Sequence, residues 1–385
     1  RVGTRNFIGI VASVNCSVTV CRRIAEEANR QLLPRFPGID GFVPIVHGQG
    51  CGQSTAGDGP EILKRTIAGY LGHPNFAASL LIGLGCEVNQ IVLYAKAGRG
   101  GSITSFNIQD VGGSRSAVIE ALKLLEPMAA EAAKLEREEV PASELVIGLQ
   151  CGGSDGFSGI TANPALGNAM DRLVACGGTA ILSETPEIFG AEHLLTARAE
   201  KDVADALLAR IDWWRAYVGR AGASLDNNPS PGNKRGGLTT ILEKSLGAVA
   251  KGGRSPLVEV VRYAEKVTGR GLVFMDTPGY DPVSATGQVA GGANVVVFTT
   301  GRGSCFGCRP TPSIKVSSNS DLARRMAEDI DVDAGRIVTG DATVDEVGAE
   351  IFAAILAVAS GEKTRSEAFG YGDDEFVPWH IGAVL

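Results

Sequence analysis

Short apolar runs alternate with longer amphipathic stretches along the first third of the chain. Residues 7–12, 42–46 and 80–84 are apolar runs of strand length, and helical spacing follows each of them, at 21–33, 61–71 and 91–97. Strands that alternate with helices indicate a parallel sheet with helices on both faces. The sequence therefore predicts a flavodoxin- or Rossmann-like α/β domain over residues 1–138, which ends in a helix over 113–138.

The same alternation continues beyond residue 139 and predicts a second, larger α/β domain over residues 139–385. The pattern predicts strands at 144–149, 178–183, 271–276, 294–299 and 313–317, and helices at 161–175, 201–219, 239–250, 256–268, 320–330 and 343–360. Residues 226–237 are rich in Asn, Pro and Gly and are predicted to form a long functional loop. The fold class is thus α/β, with two domains of mainly parallel sheets flanked by helices.

Composition and charge restrict the class of protein. The 385 residues are 44% hydrophobic and 21% charged, and a net charge of −7 is spread along the chain. Without a basic stripe, a nucleic-acid partner is not expected, and without an apolar run of about 18 residues a membrane partner is not expected either. Eight cysteines in a long chain indicate reduced thiols and a cytoplasmic location. Because the chain begins at Arg1, we expect some N-terminal sequence to be missing.

A glycine-rich run directly follows a predicted strand and carries several reactive side chains. Residues 149–159 include Cys151, Ser154 and Asp155, separated by glycines. Glycine permits positive φ and a close approach of the backbone to a ligand. Open α/β sheets bind their ligands at the carboxyl ends of strands, before a helix begins. The run therefore predicts a ligand site in the second domain.

Three other predicted strands also end in polar side chains. His47 and Cys51 follow the second strand, Cys86 and Glu87 follow the third, and Ser183-Glu184-Thr185 follows the strand at 178–183. Thiolate, imidazole and carboxylate groups together suit Fe(II), Zn or a related transition metal. None of the spacings is a compact metal motif, so the alternative remains open that each cysteine is a small buried apolar residue.

Further candidates lie on glycine-rich turns and on the 226–237 loop. Arg302 and Lys315 are cations suited to grip a substrate carboxylate. Asn233 and Lys234 offer an amide and an amine to a hydroxylated acid, although an Asx- and Pro-shaped turn explains much of that loop. Asp276 is either a ligand or a helix cap. Cys305 and Cys308 form a CxxC pair, for which packing is favoured over a redox or metal role.

Six strings resemble the altronate dehydratase / D-galactarate dehydratase family, and they occur in the family's order along nearly the whole chain. They are RVGTRN (1–6), GCEVNQ (85–90), QCGGSDGFSG (150–159), NPSPGNK (228–234), MDTPG (275–279) and TGRGS (300–304). The resemblance implies a hydro-lyase that dehydrates a sugar acid, altronate-like, to a 2-keto-3-deoxy acid. It also implies a divalent metal, Fe(II) or else Mn or another divalent ion. Full-length members carry a further small N-terminal domain of the antifreeze-like (SAF) type, which this sequence lacks.

The resemblance also implies roles for individual residues. The metal region is expected at His47, Cys51, Cys86 and Cys151, acid–base chemistry at Glu87, Asp155 and Lys234, and substrate binding at Ser154, Asn233, Arg302 and Lys315. Removing the C2 proton beside a carboxylate requires a base and a cation that stabilises the enolate. Alternatives are a galactarate dehydratase, the large subunit of a sulfolactate sulfo-lyase, or a non-catalytic subunit that needs a small SAF-domain partner. A homo-oligomer is expected. A dinucleotide site is disfavoured because no GxGxxG follows the first strand.

Overall fold

The computed structural model describes residues 2–95, 97 and 102–382. Its first sheet has four parallel strands in the order β2-β1-β3-β4, namely β1 (Phe7–Ala12), β2 (Gly41–Ile45), β3 (Phe76–Gly83) and β4 (Ser102–Asn107). The helices of this region are α1 (Val18–Gln31), α2 (Asp58–Leu71) and α3 (Ser114–Ala132), and short 3₁₀ turns cover Asn15–Ser17, Leu33–Arg35, Ile91–Tyr94 and Ala142–Glu144. The strand order is flavodoxin-like, which confirms the predicted fold class.

The central strands of the first sheet are buried because helices cover both faces. Every residue of β1 is buried, as expected for the middle of a parallel sheet. One face packs on α1 and α3 through residues such as Ile10, Ile24 and Leu125. The other face packs on α2, where Gly69 lies so close to Ala290 that a Cβ would meet the Ala290 carbonyl oxygen at 2.5 Å. The first sheet is therefore joined to the rest of the chain through α2.

The second sheet has seven parallel strands in the order β11-β10-β9-β5-β6-β8-β7. The strands are β5 (Val146–Cys151), β6 (Thr179–Leu182), β7 (Leu257–Val261), β8 (Gly271–Met275), β9 (Val295–Thr300), β10 (Ser313–Ser317) and β11 (Val332–Asp333). The helices are α4 (Ala162–Ala175), α5 (His193–Thr196), α6 (Lys201–Arg220), α7 (Pro231–Arg235), α8 (Ile241–Ala250), α9 (Asp281–Gly291), α10 (Ser320–Arg325), α11 (Arg336–Thr339), α12 (Val344–Ala359) and α13 (Arg365–Ala368). Two 3₁₀ turns cover Thr185–Ile188 and Leu225–Asn227.

Several local predictions were wrong. The helix predicted over 256–268 is instead strand β7, which pairs with β8; its sequence Leu-Val-Glu-Val-Val is rich in the β-branched residues that strands favour. The 226–237 loop contains the short helix α7, with Ser230 as its N-cap. The helices predicted to reach residues 138 and 330 end at Ala132 and Arg325.

Other differences concern the edge of the first sheet. Strand β4 was not predicted, because its polar sequence lacks an apolar run. The helix expected over 91–97 is a 3₁₀ turn at Ile91–Tyr94, and Lys96 lies outside the described residues. No helix within the described part of the chain is both long and apolar enough to cross a membrane.

The topology brings several chain segments to one edge of the second sheet. The adjacent strands β9, β5, β6 and β8 are parallel, so their carboxyl ends lie side by side. Strand β5 ends at Cys151, β6 at Leu182, β8 at Met275 and β9 at Thr300. The side chains that follow these four positions form the candidate site.

Candidate active site

A buried cluster of one thiol and two carboxylates lies at this edge. Cys151, Glu184 and Glu187 are all buried, and each offers a ligand atom that lies within 4.8 Å of the other two. The Cys151 Sγ lies 3.8 Å from Glu187 Oε2 and 4.0 Å from Glu184 Oε2. Carboxylates are almost never fully buried without partners, so this cluster requires charge compensation.

Glu184 enters the cluster through a strained backbone. Its φ of 70° and ψ of 64° lie in the left-handed region, which a non-glycine residue rarely adopts. The amide of Glu184 donates to Thr277 Oγ1 at 2.9 Å, and the amide of Thr185 donates to the Thr277 carbonyl at 3.0 Å. Strain of this kind persists only where the surroundings hold it, and it concentrates at functional sites.

Two lysines from α8 and its C-terminus supply the compensating charge. Lys251 Nζ donates to Cys151 Sγ at 3.0 Å and lies 3.4 Å from Glu184 Oε2. Lys244 Nζ donates to Glu187 Oε1 at 2.6 Å. The two lysines are seven residues apart, which places them on the same helix face. Asn228 Nδ2 also donates to Glu187 Oε1, at 2.9 Å.

Burial governs the protonation of the cluster. Burial raises the pKa of the Cys151 thiol to about 11, although Lys251 acts in the opposite direction. The pKa of Glu184 lies well above its ordinary value, because of burial and then the charge of Glu187. Burial disfavours the charge of Lys251, but the neighbouring Cys151 and Glu184 more than offset this and raise its pKa. Without a further cation, the cluster therefore tends to keep protons on Cys151 and Glu184.

Asp281 is a second titratable group at the site. It is the first residue of α9, and it lines the same cavity as Cys151. Burial, followed by the charge of Glu187, raises the pKa of Asp281 to about 6. A Cβ at Gly152 would overlap the Asp281 carboxylate and would come 2.5 Å from Phe298 Cζ. Glycine at position 152 therefore permits the close approach of Asp281 to the end of β5.

Cys151, Glu187 and Lys244 of this cluster line a cavity of about 580 Å³. The residues that line it come from the glycine-rich run, the segment after β6, the segment that contains α7, and the starts of α8 and α9; among them are Cys151, Gly153, Glu187, Asn228, Asn233, Arg235, Lys244, Asp281 and Arg302. Such a volume accommodates a six-carbon acid with hydroxyl groups. The lining of the cavity combines acidic and basic side chains, and the basic ones suit a polar, negatively charged ligand.

The donor set fits a transition-metal ion. Glu184 Oε1 is buried and has no hydrogen-bond partner among the described residues, so one carboxylate oxygen remains for a ligand that the chain does not supply. One thiolate with two carboxylates combines a soft donor with hard ones, which suits Fe(II) or Zn better than Mg. Binding of such an ion would release the protons that burial keeps on Cys151 and Glu184.

Three of the residues predicted from the sequence line this cavity, namely Cys151, Asn233 and Arg302. The Asn233 side chain caps α7 and donates from Nδ2 to the Ser154 carbonyl at 2.9 Å, so it fixes the glycine-rich run. Arg302 is exposed at its edge. Ser154 lies beside the cavity, buried, and accepts through its backbone.

Several hydrogen bonds hold the buried Asp155 carboxylate. Its Oδ1 accepts from Ser318 Oγ at 2.7 Å and from the amide and hydroxyl of Ser158 at 2.9 Å, and its Oδ2 accepts from Asn319 Nδ2 at 2.9 Å. A Cβ at Gly301 would meet Asp155 Cβ at 2.6 Å. These contacts tie the glycine-rich run to the end of β10, and the acid–base role of Asp155 stays a prediction.

Four of the predicted residues lie at the carboxyl edge of the first sheet instead. His47 is buried, and its two ring nitrogens contact the Ala12 carbonyl at 3.0 Å and the Gln49 amide at 3.1 Å. Glu87 accepts from Ser13 Oγ at 2.7 Å and from the Gly85 amide at 2.7 Å; these bonds outweigh burial and lower its pKa. Cys51 and Cys86 are exposed. Their predicted roles, like those of His47 and Glu87, stay predictions.

The two remaining lysines lie outside the cavity lining. Lys234 is exposed, next to the cavity residues Asn233 and Arg235. Lys315 is buried in β10, where its Nζ donates to the Phe306 carbonyl at 2.9 Å and burial lowers its pKa. Their roles in acid–base chemistry and substrate binding therefore also stay predictions.

Asp276 and the CxxC pair have structural partners. Asp276 Oδ1 accepts from Thr185 Oγ1 at 2.6 Å and from Trp214 Nε1 at 2.7 Å, so it connects β8 to α6. Cys308 is buried and Cys305 is exposed. These contacts are in line with a packing role for Cys308.

Few features of the sequence indicate the charged residues that complete the site. Glu184 stands at a predicted strand end without a predicted role, and Glu187, Lys244, Lys251 and Asp281 are not among the site residues that the sequence predicts. Lys244 and Lys251 lie in an ordinary helical pattern, and only their seven-residue spacing places both on one face. Their burial, which distinguishes them from surface lysines, follows from the tertiary structure.

The fold and the site define an α/β enzyme with a buried thiol–carboxylate–lysine cluster. Residues 142–384 match the family described as D-galactarate/altronate dehydratase, C-terminal. Residues 1–133 match the family described as D-galactarate dehydratase/altronate hydrolase, second domain. The chain therefore belongs to the D-galactarate/altronate dehydratase family, and it is a sugar-acid dehydratase, a carbon–oxygen lyase, by that membership.

Three relatives illustrate the range of this family. The chain is 42% identical over 380 residues to galactarate dehydratase (L-threo-forming) of Escherichia coli, an alignment of 96% of this chain and 73% of the relative. It is 37% identical over 376 residues to altronate dehydratase of Bacillus subtilis, covering 95% and 73%. It is 32% identical over 375 residues to (2R)-sulfolactate sulfo-lyase subunit beta of Chromohalobacter salexigens, covering 96% and 93%.

Proposed function

We propose that this chain removes water from a six-carbon sugar acid, galactarate or altronate, in the cavity beside Cys151, and forms a 2-keto-3-deoxy acid. The observation that carries the proposal is the buried cluster of Cys151, Glu184 and Glu187 with its two lysines, which opens onto a cavity of suitable size. Family membership supplies the reaction class. The higher identity to the galactarate enzyme makes galactarate the first substrate to test.

Cys151, Glu184 and Glu187 would hold a divalent metal ion, for which Fe(II) is the first candidate. The ion would supply positive charge to the substrate carboxylate and so make the adjacent C2 proton more acidic. The unpartnered Glu184 Oε1 supports this assignment. Lys251, in contact with Cys151 and Glu184, would hold both ligands in place and balance their charge.

Asp281 is the proposed base. Its pKa of about 6 leaves it ionised at neutral pH while keeping it a stronger base than an exposed aspartate. It accepts the C2 proton, and the C2–H electron pair becomes the C2–C3 double bond as the C3–O bond breaks. The resulting enol then tautomerises to the 2-keto-3-deoxy acid.

Lys244 is the proposed acid. Burial disfavours its charge, but Glu187 and Cys151 more than offset this and raise its pKa, so Lys244 carries a proton at neutral pH. That proton passes to the leaving 3-hydroxyl group, which departs as water. Glu187, 2.6 Å from Lys244, orients the ammonium group and would favour its reprotonation.

Cations at the rim are proposed to bind the far end of the substrate. Arg302 and Arg235 line the cavity together with Asn233. A guanidinium group binds a carboxylate through two parallel hydrogen bonds. Galactarate carries a carboxylate at each end, whereas altronate carries one, so this contact would favour galactarate.

A small partner is a further part of the proposal. The similarity covers 93% of a relative whose name includes "subunit beta", so a separate small subunit or domain is proposed to complete the site. We also propose that the chain divides into functional domains at residues 1–138 and 139–385, that it forms a homo-oligomer and that it acts in the cytoplasm.

The direct test is anaerobic turnover of galactarate, altronate and sulfolactate with Fe(II), followed by mass spectrometry of the products. The proposal expects a product lighter by one water from galactarate or altronate. Sulfite release from sulfolactate would instead identify a sulfo-lyase. If none of the three acids reacts, even after addition of a small SAF-domain subunit, the proposed reaction is wrong.

A further inference from the structure

A buried network of polar side chains adjoins the cluster of Cys151, Glu184 and Glu187. Its five members, each at most 2% exposed, are Gln150, Ser183, Thr277, Ser284 and Gln288. None of them takes part in the proposed proton transfers. Polar groups are costly to bury unless their hydrogen bonds are made, so the contacts of these side chains show what the network holds in place.

The network adjoins the proposed site at three points of the chain. The residues that directly precede the proposed metal ligands Cys151 and Glu184 belong to it, namely Gln150 and Ser183. A third member, Ser284, follows the proposed base Asp281 by three residues on α9, which is about one helical turn. The network is therefore connected through the backbone to two proposed metal ligands and to the proposed base.

The hydroxyl group of Ser284 lies at the centre of the network. Gln150 Nε2 donates to Ser284 Oγ at 2.9 Å. Ser284 Oγ also lies 2.8 Å from Ser183 Oγ and 2.8 Å from Thr277 Oγ1. Its three partners come from the carboxyl ends of β5, β6 and β8, which are neighbours in the second sheet. One hydroxyl group of α9 therefore joins three adjacent strand ends of the site.

The hydroxyl group of Thr277 connects this centre to the backbone of Glu184. Thr277 Oγ1 accepts from the Glu184 amide at 2.9 Å and donates to the Pro278 carbonyl at 3.1 Å. Because the single hydroxyl hydrogen of Thr277 is used in this way, Ser284 donates to Thr277, and Ser183 in turn donates to Ser284. The three hydroxyl groups thus form one directed row of hydrogen bonds that ends at Glu184.

Gln288, also on α9, holds the other end of this row. Its Nε2 donates to Ser183 Oγ at 2.7 Å and to the Ile181 carbonyl at 2.9 Å. Its Oε1 accepts from Gln150 Nε2 at 2.8 Å. A Cβ at Gly148 would come 2.6 Å from Gln288 Oε1, so glycine at this position of β5 leaves room for the side chain. The amide of Gln288 thereby fixes the row against β5 and β6.

Glu184 depends on the Thr277 hydroxyl group for an unusual backbone conformation. Its φ of 70° and ψ of 64° lie in the left-handed region, which surrounding contacts must hold in place. Removal of the Thr277 acceptor would leave the Glu184 amide unpaired inside the protein. A change of φ to the ordinary negative range would redirect the Glu184 side chain, whose Oε2 lies 4.0 Å from Cys151 Sγ and 3.4 Å from Lys251 Nζ. The Thr277 hydroxyl group therefore controls where the Glu184 carboxylate lies.

We propose that Thr277 and Ser284 are positioning residues of the dehydration site, and that their hydroxyl groups fix the Glu184 carboxylate relative to Cys151 and Asp281. This role rests on the proposed function, in which these three groups act on one substrate. Neither Thr277 nor Ser284 occurs among the described residues that line the cavity, so each acts through Glu184 and α9. Loss of either hydroxyl group lowers kcat by misaligning the reacting groups, while the cations at the rim still bind the substrate and keep KM nearly unchanged.

The test compares four variants of the full chain, in two pairs. Thr277→Val keeps the shape of threonine without its hydroxyl group, whereas Thr277→Ser keeps the hydroxyl group and loses only a methyl group. Ser284→Ala removes the hydroxyl group at the centre of the network. Ser313→Ala is its matched control, because Ser313 is buried at the start of β10 and its Oγ has no hydrogen-bond partner among the described residues.

The measurements are kcat and KM for galactarate and altronate, the thermal unfolding midpoint, and the φ of Glu184 in crystal structures of the two Thr277 variants. We expect kcat to fall about 100-fold in folded Thr277→Val and Ser284→Ala, with KM within about a factor of two of the wild-type value. Thr277→Ser should recover most of kcat, and Ser313→Ala should keep it. Glu184 should leave the left-handed region in Thr277→Val and retain it in Thr277→Ser. If Thr277→Val does not fold, Ser284→Ala and Ser313→Ala give the same comparison of kcat.

A kcat in Thr277→Val and Ser284→Ala equal to that of Ser313→Ala would overturn the positioning role. So would a Thr277→Ser variant as slow as Thr277→Val, since the effect would then come from lost packing of the methyl group. If the wild type dehydrates neither acid, the proposed function fails, while the conformation of Glu184 still tests the positioning role. A Glu184 that stays left-handed in Thr277→Val would overturn that role independently of turnover.

Discussion

The ammonium group of Lys251 lies 3.0 Å from the sulfur of Cys151, and both side chains are buried. This contact joins the end of β5 to the end of α8. The same ammonium lies 3.4 Å from Glu184 Oε2, so one lysine connects a thiol and a carboxylate of the proposed metal site. Because the buried ammonium group of Lys251 contacts both acidic groups, the chain can bury Cys151 and Glu184 side by side.

Loss of the Lys251 charge is expected to destabilise the protein. In Lys251→Met, Cys151 Sγ and Glu184 Oε2 lose their buried ammonium donor, and removing one partner of a buried charged contact costs about 3–5 kcal/mol. Denaturant unfolding should therefore show a lower free energy of unfolding by about 3 kcal/mol. Lys234→Met, at an exposed position, is the matched control and should change it by less than about 0.5 kcal/mol. Equal stability of the two variants would show that the Lys251 contact is not stabilising.

The rate is expected to depend on the ionisation of Asp281. A base must be ionised to accept a proton, and burial raises the pKa of Asp281 to about 6. The turnover rate should therefore fall as pH decreases through about 6 and should level off above it. Measurement of the pH–rate profile checks this. In Asp281→Asn the reaction should be largely lost, and a profile that keeps its acid limb in this variant would assign the limb to another group.

The raised pKa of Asp281 also makes the free energy of unfolding depend on pH. Because the pKa of folded Asp281 exceeds its ordinary value of 3.8, the folded state binds this proton more tightly than the unfolded chain. The contribution of the protonated Asp281 side chain to the free energy of unfolding is thus fully present below about pH 4, and it is lost as pH rises through about 6. Asp281→Asn should remove that dependence from the unfolding free energy.

Gly152 is expected to tolerate no side chain. In Gly152→Ala the new Cβ would overlap the Asp281 carboxylate and press on Phe298. Asp281 would move away from the cavity, so kcat should fall by about two orders of magnitude, as misplacement of a catalytic group by about 1 Å can produce. Gly48→Ala is the control, since no heavy atom lies within 4 Å of its Cβ position. Unchanged kcat in Gly152→Ala would argue against Asp281 as the base.

Asp155 is expected to act on structure more than on proton transfer. In Asp155→Asn the side chain keeps one acceptor oxygen but gains an amide that faces the Asn319 amide or Ser318 hydroxyl. The free energy of unfolding should fall by about 1–3 kcal/mol, the cost of unsatisfied buried groups. Residual turnover should keep the wild-type pH profile. A shifted profile would support the acid–base role predicted from the sequence.

The sequence predicted the fold class and part of the site for physical reasons. Apolar runs followed by helical spacing define a parallel sheet, and the glycine-rich run marks the strand end that carries Cys151. Of the five titratable groups around that thiol, this pattern indicates only Glu184, and it does not indicate Glu187, Lys244, Lys251 or Asp281. Lys244 and Lys251 have an ordinary helical spacing, and the left-handed conformation of Glu184 depends on Thr277, which is far away in the chain.

The segment of β7 was predicted wrongly for a similar reason, since its conformation depends on tertiary contacts. Strand β7 reads as a helix because Leu257–Val261 is short and half-buried, and its strand conformation depends on pairing with β8. The roles predicted for His47 and Glu87 stay predictions, and in the structure both side chains form hydrogen bonds that hold loops of the first sheet together. Residue type at a strand end therefore identifies candidates, while their hydrogen-bond partners decide which remain available to a ligand.

The most direct test of the account compares the wild type with Glu184→Gln and Cys151→Ser for Fe(II) binding and for 2-keto acid release from galactarate. Both variants are expected to lose most of their tight Fe(II) binding and of their turnover, while Lys363→Met, at an exposed position without a proposed role, retains both. Wild-type turnover and Fe(II) content in Glu184→Gln and Cys151→Ser would contradict it, because the reaction would then take place elsewhere on the chain.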